Sequence, residues 1–366
     1  MSRPLSILHT ESSTGWGGQE IRILSEARGM IARGHTVRLV CAVGSRIFDE
    51  APAWGVPAYA LPIAKKRLVG LKCMSEWLKL ERCHVVSTHS STDSWLVAVA
   101  LLALGRPCPM VRTRHISAPV SKGFLTRWLY ASASRRIVTT GEALKKELVE
   151  RNGLRADRVD SIPTGIDTTR FRPGDRLAAR AALGLPAGAP LVGIVATLRS
   201  WKGHRFLVEA LRSLPPEVQL VMVGEGPQRE ALEKLVDKLG LRSRVRFAGN
   251  QSDVVPWLQA LDVFALPSYA NEGVPQALIQ AMLVGLPCVT THVGSIAELA
   301  QHEKTALVVP PQDVPALGGA IARLLSDPAL GASLGAAARR HCEEGYGYER
   351  MLDRMEQVYR EASGRY

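Results

Sequence analysis

Short runs of β-branched and apolar residues alternate along this chain with stretches whose apolar positions recur at helical spacing. In the first half the apolar runs are Leu5–His9, Val37–Ala42, Val85–Thr88, Val111–Thr113 and Arg136–Thr140. Between them lie helical patterns, the clearest from Gln19 to Arg33, which stops at Gly34. The second half repeats the alternation with Leu191–Ala196, Gln219–Val223, Val245–Ala248, Val263–Leu266, Val289–Thr291 and Ala306–Val309. Helices are predicted there at His204–Arg212, Gln228–Lys238, Gln276–Val284 and Val314–Leu325. Strands alternating with helices, each bounded by turn residues, predict a parallel α/β sheet, and two such series predict two α/β domains. Phe171 to Pro190, rich in Pro and Gly, is the expected joint.

Length agrees, since 366 residues exceed what one core holds and two domains of roughly 170 residues follow. These are residues 1–170 and 171–347. Hydrophobic content is 46% and mean hydropathy +0.02, as in soluble globular proteins. No apolar run reaches the roughly 18 residues of a membrane span. The opening Met1 to Thr10 has no signal-peptide pattern, so a cytoplasmic protein is expected. Six cysteines without metal-type spacing are expected to be reduced, buried hydrophobes.

Charge changes this picture. The net formal charge is +12, and residues 65–136 hold thirteen Lys/Arg against three acids, Glu76, Glu81 and Asp93. A surplus of ten in one half of the chain points to an anionic partner. With 5% aromatic residues and no RNA-binding signature, a membrane surface is expected and nucleic acid is not. Ala64 to Leu80 also interleaves Leu68, Val69, Leu71, Met74, Trp77 and Leu78 with its cations, which suits an interfacial segment. The alternative is that these apolar residues face the domain core.

The most informative stretch runs from Ser268 to Met282. It follows an apolar strand, breaks at Gly273 and Pro275, and enters a helix at Gln276. A strand, a tight loop and a helix N-terminus present backbone N–H groups to an anion at the carboxyl edge of a sheet. Glu272 at the lip of the loop suits sugar hydroxyls, so the ligand expected is sugar at one end and phosphate at the other. Arg199 and Lys202, after the first strand of the second half, are placed to neutralise a diphosphate, or are simply solvated cations. Gly224 and Gly226 in Val223-Gly-Glu-Gly-Pro227, and Gly249-Asn250, are further strand-end turns. In the first half, Gly15, Gly17 and Gly18 let backbone approach a ligand, though such clusters are commonly just turns. His115 ends a strand, as do its competitors His9 and His89.

Asn271-Glu-Gly-Val-Pro275 with Ala281-Met282, Gly17-Gly18, Lys202-Gly203, Val223-Gly-Glu-Gly226 and Pro163-Thr-Gly-Ile-Asp-Thr-Thr-Arg-Phe-Arg-Pro173 together resemble the family-4 retaining glycosyltransferases of the GT-B fold. These are group 1 enzymes of bacterial cell-envelope polysaccharide and lipopolysaccharide type. The resemblance spans nearly the whole chain in order. It implies two facing Rossmann-like domains with a donor cleft between them, and a last helix, about Tyr348 to Ala362 within residues 348–366, crossing back onto the first, acceptor-binding domain. It implies that Glu272 holds donor-sugar hydroxyls, that Gly273, Val274 and Pro275 border sugar and phosphate, and that Gly17 and Gly18 close over the diphosphate. Arg199 and Lys202 would neutralise that diphosphate, His115 would approach the transferred sugar, and Gly224, Gly226 and Asn250 would line the donor site. Two positions depart from the pattern. Gln280 stands where the family usually has a second Glu on the ribose, and Thr197 where it usually has the phosphate Arg.

The expected activity is retaining transfer of a sugar from a nucleotide diphosphate donor to a lipid-linked or lipopolysaccharide-type acceptor at the cytoplasmic membrane face. No cofactor and no metal are expected, because no Asp-x-Asp motif suits a divalent ion. The alternatives are a sugar-nucleotide 2-epimerase on the same fold and a non-catalytic sugar-nucleotide-binding protein.

Overall fold

A computed structural model describes residues 3–115, 119–270 and 272–365. Ile116 and Ser117, next to His115, and Asn271 of the Glu272 motif lie outside them. The chain divides into one unit of Met1–Gly165 with Glu349–Tyr366 and a second of Ile166–Tyr348.

The first unit holds a seven-stranded parallel sheet ordered β3-β2-β1-β4-β5-β6-β7. Its strands are β1 Ser6–Glu11, β2 Thr36–Ala42, β3 Ala58–Leu61, β4 Val85–Thr88, β5 Met110–Arg114, β6 Ser134–Thr139 and β7 Val159–Ser161. Consecutive residues of the central strands, such as Ile7 and Leu8, are both buried because helices cover both faces. The helix Gly18–Ala32 follows β1 and gives way to Gly34 at φ +86, a left-handed position that glycine adopts without strain. The C-terminal helix Tyr348–Ser363 belongs to this unit over nearly all its length. Arg33 pairs with its Glu349, Asp353 and Glu356 at 2.7, 2.8 and 3.2 Å, and Tyr359, wholly buried, hydrogen-bonds Glu26.

The helix Leu68–Leu80 resolves the ambiguity of its sequence in both directions. Met74 and Leu78 face the core, with Leu71 and Trp77 packed against it, so these four are not interfacial residues. Gly70 is pressed against Pro62, where an added Cβ would lie 2.7 Å from the carbonyl oxygen. Leu68 and Val69 in its first turn remain exposed at 84% and 53%, beside exposed Lys65, Lys66 and Arg67.

The second unit is a six-stranded parallel sheet ordered β10-β9-β8-β11-β12-β13. The strands are β8 Leu191–Val195, β9 Gln219–Val223, β10 Val245–Gly249, β11 Val263–Leu266, β12 Cys288–Thr290 and β13 Leu307–Val308. The Pro/Gly-rich stretch expected as a joint instead contains a helix, Arg176–Leu183, that lies within this unit. Asp175 caps it by accepting from the N–H groups of Leu177 and Ala178, and Gly184 at φ +59 ends it. In each sheet the chain starts near the middle, winds outward and then crosses to the other side. This leaves a switch point at the carboxyl edge, between β1 and β4 in one unit and between β8 and β11 in the other. Ligands of open α/β sheets bind at such points.

Candidate active site

In the second unit, the loops after β8 and β11 meet at the switch point. Gly203, at φ +78, lets the first loop lie against the second: an added Cβ would sit 2.0 Å from the Pro267 carbonyl oxygen. Tyr269 N–H donates to the Trp201 carbonyl at 2.9 Å. That approach delivers Lys202 to Glu272, with Nζ 2.7 Å from Oε1. Ser268 Oγ donates to the same oxygen at 2.7 Å. Glu272 is buried, and a buried carboxylate needs such compensation. Oε1 carries both contacts, while Oε2 takes no hydrogen bond from the described residues. Gly294 supports the motif from behind, because an added Cβ would meet the Glu272 carbonyl oxygen at 2.0 Å.

Gly273, Val274 and Pro275 are buried in the turn that enters the helix Gln276–Leu283, which has no side-chain N-cap. Its N-terminus therefore points positive dipole toward the Lys202–Glu272 pair's loop. Gln280 is half-buried one turn further on. Gly224 and Gly226 bring the turn after β9 onto the β8 loop, where added Cβ atoms would lie 2.1 Å from the Ala196 oxygen and 2.7 Å from the Leu198 oxygen. Leu198 N–H donates to the Glu225 carbonyl at 3.0 Å. Asn250 follows β10 on the same edge, beside Gly249, whose carbonyl accepts from the Gly224 N–H at 2.8 Å. Arg199 stands apart from the Lys202–Glu272 cluster. It is exposed, with its guanidinium over the Trp201 ring, 5.7 Å from the centroid. Beneath this loop His204 is buried, and burial, with the Lys202 charge second, pushes its pKa down to about 3.

In the first unit, Gly17 and Gly18 begin the helix Gly18–Ala32, with Gly17 extended and no side-chain cap. The loop before them is anchored by Glu11, which accepts from the Ser13 N–H at 2.7 Å and from Gln19 and Ser90 side chains. Burial, then the nearby Asp93 carboxylate, pushes the Glu11 pKa up to about 8. Asp93 in turn accepts from the N–H groups of His89 and Ser90 at 3.0 and 2.9 Å and from Thr10 Oγ1 at 2.8 Å.

His9, His89 and His115 are joined, where the sequence set them in competition. His9 Nδ1 lies 2.9 Å from His89 Nε2, and His89 Nδ1 lies 3.0 Å from His115 Nε2. Ring centroids are 5.2 and 5.3 Å apart. All three rings have pKa values lowered chiefly by burial, His9 to about 3, with the Arg22 and Arg112 charges also acting on His89 and His115. Ser268, Gly294 and the His9–His89 pair are contributions that residue-by-residue reasoning missed. Ser268 begins the Ser268–Met282 stretch, and the available signal for the two histidines was that His9 closes and His89 follows an apolar run of the sequence.

Two doubly wound parallel sheets in one chain, with glycine-built loops at both switch points, define the GT-B class of fold. Family models agree: "Glycosyl transferases group 1" matches residues 175–341 and "Glycosyltransferase Family 4" matches residues 16–170. The D-inositol 3-phosphate glycosyltransferase of Nocardia farcinica is 34% identical over 263 residues, covering 69% of this chain and 56% of that protein. Its namesake from Saccharomonospora viridis is 32% identical over 300 residues, covering 78% of this chain and 67% of that protein. The chain thus spans between about half and two thirds of the length of these relatives. Among solved structures, HepE of Anabaena in complex with UDP and glucose superposes with a TM-score of 0.87 at 20% identity, over 97% of this chain and 99% of that one. The chain belongs to the group 1, family 4 glycosyltransferases.

Proposed function

We propose that this protein is a retaining glycosyltransferase that moves a sugar from a nucleoside diphosphate onto an acceptor presented at an anionic membrane surface. The Lys202–Glu272–Ser268 cluster carries the reading. It sets a cation for phosphate beside a carboxylate whose Oε2 is available to sugar hydroxyls, at a helix N-terminus. Lys202 keeps two further N–H donors for the diphosphate while it orients Glu272. Arg199 adds a second cation from the loop's exposed side, and Gly17, Gly18, Gly224, Gly226, Asn250, Gly273, Val274, Pro275 and Gln280 line the donor. His115 serves the transferred sugar. The bond from the anomeric carbon to the leaving phosphate oxygen breaks as the acceptor oxygen bonds to the same face, and the acceptor proton passes to that phosphate. Cations and helix N–H groups supply the charge stabilisation, so transfer persists in chelator.

The membrane part rests on exposed residues of the first unit. Exposed Lys65, Lys66, Arg67, Leu68 and Val69 adjoin exposed Phe124 and Leu125 through a bridge of side chains. Lys66 Nζ is 5.3 Å from the Trp95 ring centroid, and Trp95 stacks on Trp128 at 5.7 Å, in the helix Phe124–Trp128. Cations beside outward Leu and Phe suit an anionic lipid interface. A second reading, a soluble phosphorylated polyol acceptor, is favoured by the names of the relatives, and the same positive unit would suit it.

The test is a thermal-shift screen of nucleotide sugars, followed by nucleotide release from the stabilising donor alone, with inositol phosphate, and with membrane extract. Release that requires membrane extract supports the proposal, and release that requires inositol phosphate supports the second reading. Release with no acceptor points to the epimerase, and binding without release to a non-catalytic protein. Charge reversal of Lys65, Lys66 and Arg67 is expected to abolish sedimentation with anionic vesicles, at about 1 kcal/mol per cation, and to leave donor affinity unchanged.

A further inference from the structure

We propose that His9 and His89 are positioning residues that hold the His115 ring neutral and in a single tautomer, with its proton on Nδ1. The row arises from topology. β1, β4 and β5 are adjacent parallel strands; His9 lies within β1, while His89 and His115 directly follow β4 and β5. In register His9 is level with Ser87, and Thr88 with Arg112, so each ring reaches diagonally forward to the next histidine. A neutral imidazole has one donor and one acceptor nitrogen, so a head-to-tail row of three can run in only two directions. The choice at one end is imposed on the other.

The blind end decides. His9 Nε2 is buried and meets no hydrogen-bond partner among the described residues. Were the row to run toward His9, that nitrogen would carry a hydrogen and be an orphaned buried donor, the rarer of the two vacancies in folded proteins. Running the other way it is only a bare lone pair. His9 Nδ1–H then donates to His89 Nε2, and His89 Nδ1–H donates to His115 Nε2. Ser87 Oγ, 3.5 Å from His89 Nε2, also lies 3.1 Å from the Tyr359 hydroxyl, which gives its own hydrogen to Glu26. Ser87 therefore donates to Tyr359, and His89 Nε2 is left to His9. A proton added to His89 or His115 would face Arg22 and Arg112, and one added to His9 would be wholly buried, so the row stays neutral. His115, its Nε2 already filled, can donate from Nδ1 and cannot take up a proton as a base. In the catalytic cycle it is a hydrogen-bond donor to substrate.

This functional consequence rests on the proposed glycosyl transfer, whereas the tautomers are read without any substrate. The experiment is two-bond proton–nitrogen correlation NMR on the full chain with ring-15N histidine, assigned by single substitutions. The expected spectrum at pH 7 shows His89 and His115 protonated on Nδ1, bare at Nε2, and unchanged down to pH 5. His9→Phe removes the first donor and keeps the ring. His115 is then expected to lose its single tautomer and kcat to fall about tenfold, the worth of one hydrogen bond, with donor KM within about twofold. His9→Asn, whose amide can donate from the Nδ position, restores both. A His115 proton on Nε2, an imidazolium at pH 7, or an unaltered His115 spectrum in folded His9→Phe overturns the proposal. Should His9→Phe fail to fold, the wild-type spectrum decides alone. Absence of any transferase activity with the expected spectrum overturns the functional reading instead.

Discussion

Lys202→Met keeps the volume of the side chain and removes only its charge and donors, so it isolates the contact at the centre of the second unit's site. The ammonium lies 2.7 Å from Glu272 Oε1, with side-chain exposures of 20% for Lys202 and 5% for Glu272. Breaking a fully buried pair costs about 3–5 kcal/mol, because a charge is left uncompensated. The exposed part of Lys202 and the remaining Ser268 hydrogen bond reduce that to about 2 kcal/mol. Glu272→Gln removes the other charge, and the double variant is expected to recover most of the loss, for a coupling of about 1.5 kcal/mol. Urea unfolding of the four proteins measures it. The same variant tests function. The nucleoside diphosphate of the donor that the thermal-shift screen selects is expected to bind Lys202→Met about 10–100-fold more weakly than wild type, the worth of a charge-assisted hydrogen bond, while binding of its free nucleoside is unchanged. Calorimetry with the two ligands separates phosphate from nucleoside recognition. An additive cycle would show the pair to be unimportant in solution. A folded variant that binds that nucleoside diphosphate as wild type does would remove Lys202 from the proposed phosphate site.

Three other outcomes follow from the same geometry. Gly203→Ala places a Cβ 2.0 Å from the Pro267 carbonyl oxygen at φ +78, so it should cost about 2–5 kcal/mol in urea unfolding; a loss below about 1 kcal/mol would mean the two loops are not tightly apposed. Gln280→Glu should bind donor as well as or better than wild type, since a carboxylate is a stronger acceptor for ribose hydroxyls, and a calorimetric loss beyond about tenfold would exclude Gln280 from that role. His204 is neutral in the fold, with a pKa lowered to about 3, and titrates near 6.5 when unfolded. The unfolded chain thus binds the extra proton as pH falls through the unfolded value, and stability falls with it, by about 2 kcal/mol from pH 7 to 5. His204→Gln should lessen the acid loss by that amount, and an identical acid loss in the variant would show that His204 is not buried as a neutral ring.

Local pattern determined much of this protein. The runs at Val85–Thr88, Gln219–Val223 and Val263–Leu266 are strands with those bounds, because buried parallel strands are continuous apolar runs closed by turn residues. The Gly/Pro break before Gln276 marks a helix start for an equally local reason. Where tertiary contact overrides local preference, the pattern fails. β3 is a short edge strand with two exposed residues in four, and so carries little apolar signal. The helix Pro328–Gly345 contains Gly331, Gly335 and Gly345, which argue against a helix in sequence. Gly335 is there because the helix passes so close to Gly285 that an added Cβ would lie 2.2 Å from its carbonyl oxygen. The site divides in the same way. Glu272 and Lys202 can each be picked out from their own loops, but 70 residues separate them, and only the approach permitted by Gly203 makes them a pair. One at a time, His9 within β1 and His89 and His115 just after β4 and β5 are ordinary residues. Sheet order alone, which no local pattern encodes, sets β1, β4 and β5 side by side and turns three separate imidazoles into one hydrogen-bonded row.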